Sequence, residues 1–399
     1  MDRWRADPAK IFLASTAVMA AGTSAKWIVL GVRLVADLKL EPYQLALLGT
    51  ALEFGVLFSE IPTGVIADVI SRRTSIVLAF LVMGPAMAMA GVFEAFWLIA
   101  LTQAAWGVGW TMQSGADVAW LTDELQDDAR VEKLVLQRTK VEVAANAVGV
   151  PVALLLNLLL TRTGAIAVAS MTLFVWGLVL MVVMPETGFV RRRGNGVAEF
   201  RRVLVLGGRL TLRKPSLRIL AFSTVLGGFG AEIVDRLDVA RMFEVGIPDS
   251  YDEVVLVAFL MLLKGLASIG ILRLVERRLV TFAAARLMSV LYLGAALAVA
   301  VAASSNVLAL VFVALIVQEA LRYGTNPLET LIANRHDESD ARATVLSFMS
   351  QAHAMGEILG GICLGALATT TSITTAFLVA AVVHVAAGVV VGRAAHAAA

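Results

Sequence analysis

The sequence predicts an all-α membrane protein whose twelve transmembrane helices form two parallel six-helix repeats around a central cavity. Three observations predict it. Of 399 residues, 59% are hydrophobic and only 16% charged, with mean hydropathy +0.83, which excludes a water-soluble globular domain. Apolar stretches of at least about 18 residues recur, each able to cross roughly 30 Å of hydrocarbon. Lys and Arg collect in alternate connections between those stretches, as the positive-inside rule requires of a polytopic chain.

The expected spans 1 to 6 are Ile11 to Val35, Gln44 to Ile66, Thr74 to Phe93, Trp97 to Leu121, Thr139 to Leu160 and Ala165 to Met184. The first is longer than a signal-peptide core and carries Lys26 and Arg33, so it reads as a span and not a leader. Spans 7 to 12 are Ile219 to Val245, Val254 to Leu274, Arg286 to Ala303, Val307 to Ile332, Ala343 to Ala368 and Ile373 to Val391. The expected division is an N-terminal half over 1–188, a basic linker over 189–218 and a C-terminal half over 219–399. Arg191 to Arg218 holds about nine basic residues against Glu199, and Phe200, Val203, Leu204, Leu206 and Leu210 suit a surface amphipathic helix on anionic lipid. Arg3, Arg5, Lys10, Arg72, Arg73, Arg130, Lys133, Arg277, Arg278, Arg335, Arg342 and Arg393 fall on the linker's side, with essentially Lys39 and Arg162 opposite. Both termini are therefore expected in the cytoplasm and the protein in an inner membrane.

A shift of about 212 residues lays Asp128-Ala129-Arg130 on Asp340-Ala341-Arg342, Asp117 on Glu329 and Gly149 on Gly361. Arg72-Arg73 and Arg277-Arg278 each close the second span of their half. Parallel repeats of this kind place a solute site at their interface near mid-membrane.

Ionisable residues sort by span: Lys26 and Arg33 in span 1, Glu53 and Glu60 in span 2, Asp117 in span 4, Glu142 in span 5, and Glu232, Asp235, Arg236, Asp238 and Arg241 in span 7. Lys264 is in span 8, Glu319 and Arg322 in span 10, and His353 and Glu357 in span 11, whereas spans 3, 6, 9 and 12 hold only His384 between their ends. A buried charge costs several kcal/mol unless paired or wetted, so the first group should line a polar interior and every third span should face lipid. Glu53 is the expected proton carrier, with Lys26 and Lys264 as charge partners and Asp235 in reserve. Glu232 with Arg236, and Glu319 with Arg322, are spaced for ion pairs within one helix. On span 4, Gln103, Trp106, Trp110, Gln113 and Asp117 share one helical face, the expected indole wall of a solute cavity. Asn146, Glu319, Arg322, His353 and Glu357 complete the expected solute contacts.

Span 2 ends Glu60-Ile61-Pro62-Thr63-Gly64-Val65-Ile66-Ala67-Asp68-Val69-Ile70-Ser71-Arg72-Arg73. This resembles the loop signature of the major facilitator superfamily, and Pro185-Glu186-Thr187-Gly188, the basic linker and the charge map extend the resemblance over the chain. It implies a twelve-helix transporter and a conformational gate at Gly64, Asp68, Arg72 and Arg73, with Asp123 as neighbour. Gly64 is expected to allow close helix approach, and Asp68 to meet the positive end of a neighbouring helix. Val69 and Ser71 replace a usual basic residue and glycine. Among branches the chain is most similar to the drug:proton antiporters, although Gln103 stands in place of their span 4 arginine and only Gly149-Val150-Pro151 survives of their span 5 motif.

The function expected from sequence is proton-coupled export of small amphipathic organic compounds, with uptake of a polar or anionic metabolite as the alternative. A membrane enzyme or sensor has little support, since Asp127-Asp128 lacks a second acidic cluster, and Gly227-Gly228-Phe229-Gly230 lacks a P-loop lysine. Lone Cys363 permits no internal disulfide, and His336, His353, His384 and His396 form no metal set. The expected partners are a small-molecule solute, protons and the bilayer, with no cofactor, metal or nucleic acid, for a monomer.

Overall fold

The computed structural model describes residues 7–189, 203–279, 283–334 and 339–397. Arg3, Arg5, Arg191 to Phe200, Arg335, His336 and the linker as far as residue 202 lie outside the described residues. Each expected span is helical. Spans 1 to 3 are Pro8–Val32 extended by Arg33–Asp37, Pro42–Val65 extended by Ile66–Ile70, and Arg72–Val92. Span 4 is two helices, Phe96–Ser114 and Asp117–Leu125, and spans 5 and 6 are Asp128–Leu159 and Arg162–Val183. Spans 7 to 9 are Pro215–Val245, Glu253–Leu279 and Ala284–Ser304; span 10 is Leu308–Tyr323 plus Thr325–Asn334; spans 11 and 12 are Ser339–Thr370 and Ile373–Ala397. Ten of these are long and apolar enough by composition to cross a membrane, eleven with the bent span 2. Span 4 falls below that mark because its polar face, including Gln103 and Gln113, dilutes an otherwise apolar helix.

Local chemistry explains the interruptions. Pro62 lies inside span 2, where it removes a backbone donor, and the span bends by 46° there. Span 4 breaks at Gly115 and resumes at Asp117. Span 10 breaks at Gly324 and resumes at Thr325, whose hydroxyl donates to the Arg322 carbonyl at 2.7 Å. The two halves thus interrupt the same span before paired acids Asp117 and Glu329. Spans 5 and 11 are both 32 residues long. Span 5 begins eleven residues before its expected start, because the charged turns from Asp128 to Arg138 continue the helix out of hydrocarbon.

The contacts divide the chain into two compact units, one of residues 1–38, 51–197 and 252–262, the other of 39–50, 198–251 and 263–399. The first turns of span 2 therefore group with the C-terminal spans, and the first turns of span 8 with the N-terminal ones. Phe80, Met83, Trp120, Leu173 and Leu180 anchor the first unit's core, and Leu220, Met288, Tyr292, Leu328 and Met349 the second's. Span 1 packs on 5 and 3 on 6 in one unit, as 7 packs on 11 and 9 on 12 in the other. Within the linker, Gly208–Arg213 leans on span 11, with Leu206 and Leu210 half-buried.

Two expectations need correction. Spans 3 and 12 are not simply lipid-facing: span 3 is 67% buried over its apolar window, more than span 5 at 22%, and His384 is fully buried in span 12 with Nδ1 2.8 Å from the Ala380 carbonyl. Apolar spans pack on one another to make each core, so lack of charge does not put a helix at the periphery. Nor does Gly64 provide close approach, since a Cβ there would meet open space. The backbones of spans 2 and 4 meet instead at Gly55, against Ala104, and Gly107, against Leu52 and Val56. Span 11 does pack as its glycines suggest, with Gly356 and Gly360 on the carbonyls of Val225 and Phe229. Gly55→Val or Gly107→Val is therefore expected to destabilise the detergent-solubilised protein by about 1–3 kcal/mol, and Gly64→Ala to stay within about 0.5 kcal/mol, as read by thermal unfolding.

Candidate functional site

Span 7 carries the charge cluster of the second unit, because Glu232, Asp235, Arg236 and Asp238 fall within two turns and must find partners on neighbouring helices. Arg236 Nε donates to Glu232 Oε1 at 2.8 Å. Arg322 of span 10 bonds both oxygens of Glu319 at 2.9 Å and lies 3.0 Å from Asp235 Oδ2. One guanidinium thus serves two carboxyls. Lys264 Nζ reaches Asp238 Oδ2 at 2.6 Å, and His353 Nε2 stands 3.4 Å from Glu357. Lys264, expected beside Glu53, thus has Asp238 as its close acid. Arg241 is buried on the carbonyls of Ala302, Ala303 and Ser305 and pairs with Glu244. That pair aside, the carboxylates Glu232, Asp235, Asp238, Glu319 and Glu357 outnumber the fixed cations Arg236, Lys264 and Arg322.

In the first unit, Lys26 is fully buried. Its Nζ lies 3.2 Å from the Trp27 ring centroid and 4.7 Å from that of Trp106, and the two indoles meet edge to face at 5.2 Å. Trp27 is the residue that sequence reasoning passed over; its adjacency to Lys26 does not announce that both converge on span 4. Trp110 is 42% exposed, whereas Gln103 and Gln113 are buried. Each of those glutamines leaves its Oε1 without a hydrogen-bond partner among the described residues. Leu101, nine residues before Trp110 and so on the opposite helical face, is 66% exposed. Span 4 therefore has two open faces, an apolar one suited to lipid and an indole-bearing one. Glu53 is half-buried and Asn146 exposed, its carbonyl accepting from Ser24.

A small cavity elsewhere in this unit is lined by Phe12, Thr16, Gln113, Asp117 and Trp120 among others. Asp117 accepts from Arg138 at 2.8 Å. Arg138 was missed because it lies one residue outside the apolar stretch that marked span 5.

Of the expected gate residues, Asp68, Arg72 and Asp123 come together at the start of span 3. Arg72 is buried, 2.6 Å from Asp123 and 3.9 Å from the half-exposed Asp68, and donates to the Ala119 carbonyl at 2.5 Å. The N-terminus of span 3 is held by Glu186. Glu186 accepts from the Arg73 amide at 3.0 Å and the Ser71 hydroxyl at 2.7 Å. Ser71, in the place of a usual glycine, is the N-cap, accepting from the Thr74 amide at 2.8 Å. Glu124 holds the amides of Thr187 and Gly188 at 2.5 and 2.8 Å, and Trp120 donates to the Pro185 carbonyl at 2.8 Å. Pro185 to Gly188 is thus a strap tying span 6 to spans 3 and 4. At the far end of the first unit, Arg162 joins Asp37 and Glu253, the latter at 2.6 Å.

A family model described as the Major Facilitator Superfamily matches residues 12–317. The crystal structure of the nucleoside transporter NupG resembles the chain with TM-score 0.80 at 14% identity, over 98% of this chain and 99% of that one; a NupG mutant gives 0.83 over 97% and 100%, also at 14% identity. A bacterial homologue of the human lysosomal transporter Spinster, inward-facing and unoccupied, gives 0.71 at 16% identity over 98% and 95%. These likenesses show the fold alone. No curated protein is significantly similar to the chain.

Removing Asp123 would leave the buried Arg72 guanidinium without its close partner. Asp123→Asn is expected to destabilise by about 3 kcal/mol and Asp68→Asn, at a half-exposed site, by less than about 1 kcal/mol. Thermal unfolding of the two variants in one detergent reads the difference.

Proposed function

Since the chain belongs to the major facilitator superfamily, we propose that it is a proton-coupled secondary active transporter of small ring-bearing organic solutes, working by alternating access. The observation that carries this reading is the acid-rich cluster of spans 7, 8, 10 and 11, in which Asp235 and Glu319 share Arg322. Two carboxylates close together on one guanidinium are not both neutralised by it, and a proton is the natural remaining counter-charge. A proton held there and released by a change in the surroundings of the pair links an ion gradient to solute movement. In this reading Asp235, the reserve candidate, and Glu319 are preferred to Glu53 as the proton site.

The exposed Trp110 beside Trp106 supports ring-bearing solutes, since indoles offer flat contact area, and agrees with export of amphipathic compounds as in the drug:proton antiporters. The buried Lys26 favours the second reading, uptake of a polar or anionic metabolite, as does the fold shared with NupG, which is named a nucleoside transporter. In proteoliposomes holding a trapped pH dye, some member of a panel of nucleosides and amphipathic aromatics is expected to trigger proton movement. Asp235→Asn should abolish it while leaving solute counterflow intact. Undiminished proton movement in Asp235→Asn would remove this residue from coupling.

A further inference from the structure

Among the described residues five lysines and arginines are buried, namely Lys26, Arg33, Arg72, Arg241 and Lys264. Arg72 has Asp123, Arg241 has Glu244 and three carbonyls, Lys264 has Asp238, and Lys26 has its indoles. Arg33 is the exception. Its Nε is enclosed without a hydrogen-bond partner, and no carboxylate, carbonyl or hydroxyl among the described residues takes its guanidinium. Asp37, four residues on and so spaced for an ion pair, gives its carboxylate to Arg162 instead, which also holds Glu253. An arginine near the end of a span ordinarily reaches out to water, yet Arg33 is only 8% exposed. It opens a wide π turn, Arg33–Asp37, in which its carbonyl accepts from the Leu38 amide at 2.9 Å. Such turns recur where a helix presents a functional group.

We propose that Arg33 is the receptor for one oxyanion, a carboxylate or a phosphate, brought by an organic solute or by an acidic lipid headgroup. A buried cation without a partner is costly, and arginine side chains do not deprotonate in proteins to escape that cost. A guanidinium offers its planar fork of donors to two oxygens of one carboxylate or phosphate. An anion of this kind is therefore the partner that the chain itself does not supply. Where the oxyanion is a solute's, the site narrows the transport reading above to organic acids. The site does not depend on the proton cluster of the second unit.

The test uses the full-length protein purified in maltoside detergent, which carries neither phosphate nor carboxylate. In one arm, calorimetric titration compares phenyl phosphate and benzoate with the neutral benzyl alcohol. In the other, native mass spectrometry compares retention of phosphatidylglycerol with that of a neutral glycolipid. Wild type is expected to favour the anionic member by at least about tenfold in one of the arms, and Arg33→Gln to lose that preference. Arg33→Lys, which keeps the charge without the fork, should fall between them. Binding of phenyl phosphate or benzoate without retention of phosphatidylglycerol assigns the oxyanion to a solute, and the reverse assigns it to lipid. With no ligand added, Arg33→Gln should unfold no lower than wild type, since it removes an unpaired charge. The proposal is overturned if wild type shows no anionic preference in either arm or if Arg33→Gln keeps it. It is equally overturned if ligand-free Arg33→Gln unfolds well below wild type or does not fold, as loss of a charge with a structural partner requires. Failure here with proton movement intact in proteoliposomes refutes the oxyanion site only; loss of proton movement with every solute refutes the transport reading itself.

Discussion

A charged side chain held in hydrocarbon costs from about 3 to more than 10 kcal/mol unless it is paired or reaches water, and the helices of this protein are arranged around that cost. In the second unit, span 7 alone carries Glu232, Asp235, Arg236, Asp238 and Arg241, too many to satisfy one another along a single helix. Spans 8 and 10 supply Lys264 and Arg322 to it, and interhelical carbonyls take up Arg241. In the first unit Lys26 is enclosed by indoles, Asp117 is met by Arg138 and Arg72 by Asp123. Glycines then set how near the helices come, with Gly55 and Gly107 on one pair and Gly356 and Gly360 on another.

Pairing in this setting does more than stabilise. A pair whose charges balance needs no further counter-charge. A cluster with more acid than base is responsive, because its last carboxylate must take a proton, a cation or water. On the proposed reading the Asp235, Glu319 and Arg322 triad is of the second kind, and it lies where span 10 approaches its break at Gly324. The strap from Pro185 to Gly188 is a different device. Glu186, Glu124 and Asp123 each hold backbone amides or a guanidinium in fixed geometry, a set of contacts that a change of conformation can break as a group.

Much of this was legible in the sequence, for a physical reason. Span length, loop charge and the sorting of ionisable residues are all set by the bilayer, and the bilayer acts on sequence directly. The pairs Glu232–Arg236 and Glu319–Arg322 were readable because helical spacing alone brings them together. What escaped depends on how different helices meet. Gly64 reads as a packing glycine yet faces open space, whereas Gly55, with no motif around it, touches the backbone of span 4. Trp27 and Arg138 gain their meaning from neighbours about 80 and 20 residues away. The grouping of residues 39–50 with the second unit has no local motif to announce it.

The central claim is that Asp235 and Glu319 form the site where a proton is taken up and released. Infrared difference spectroscopy of the purified protein under a step in bulk pH observes carboxyl protonation without needing the solute. A reversible carboxyl C=O signal is expected in wild type, lost or displaced in both Asp235→Asn and Glu319→Gln, and retained when the exposed Glu142 is changed to Gln. If both cluster variants keep every pH-dependent carboxyl band of wild type, the proton is carried elsewhere and this account of coupling is contradicted.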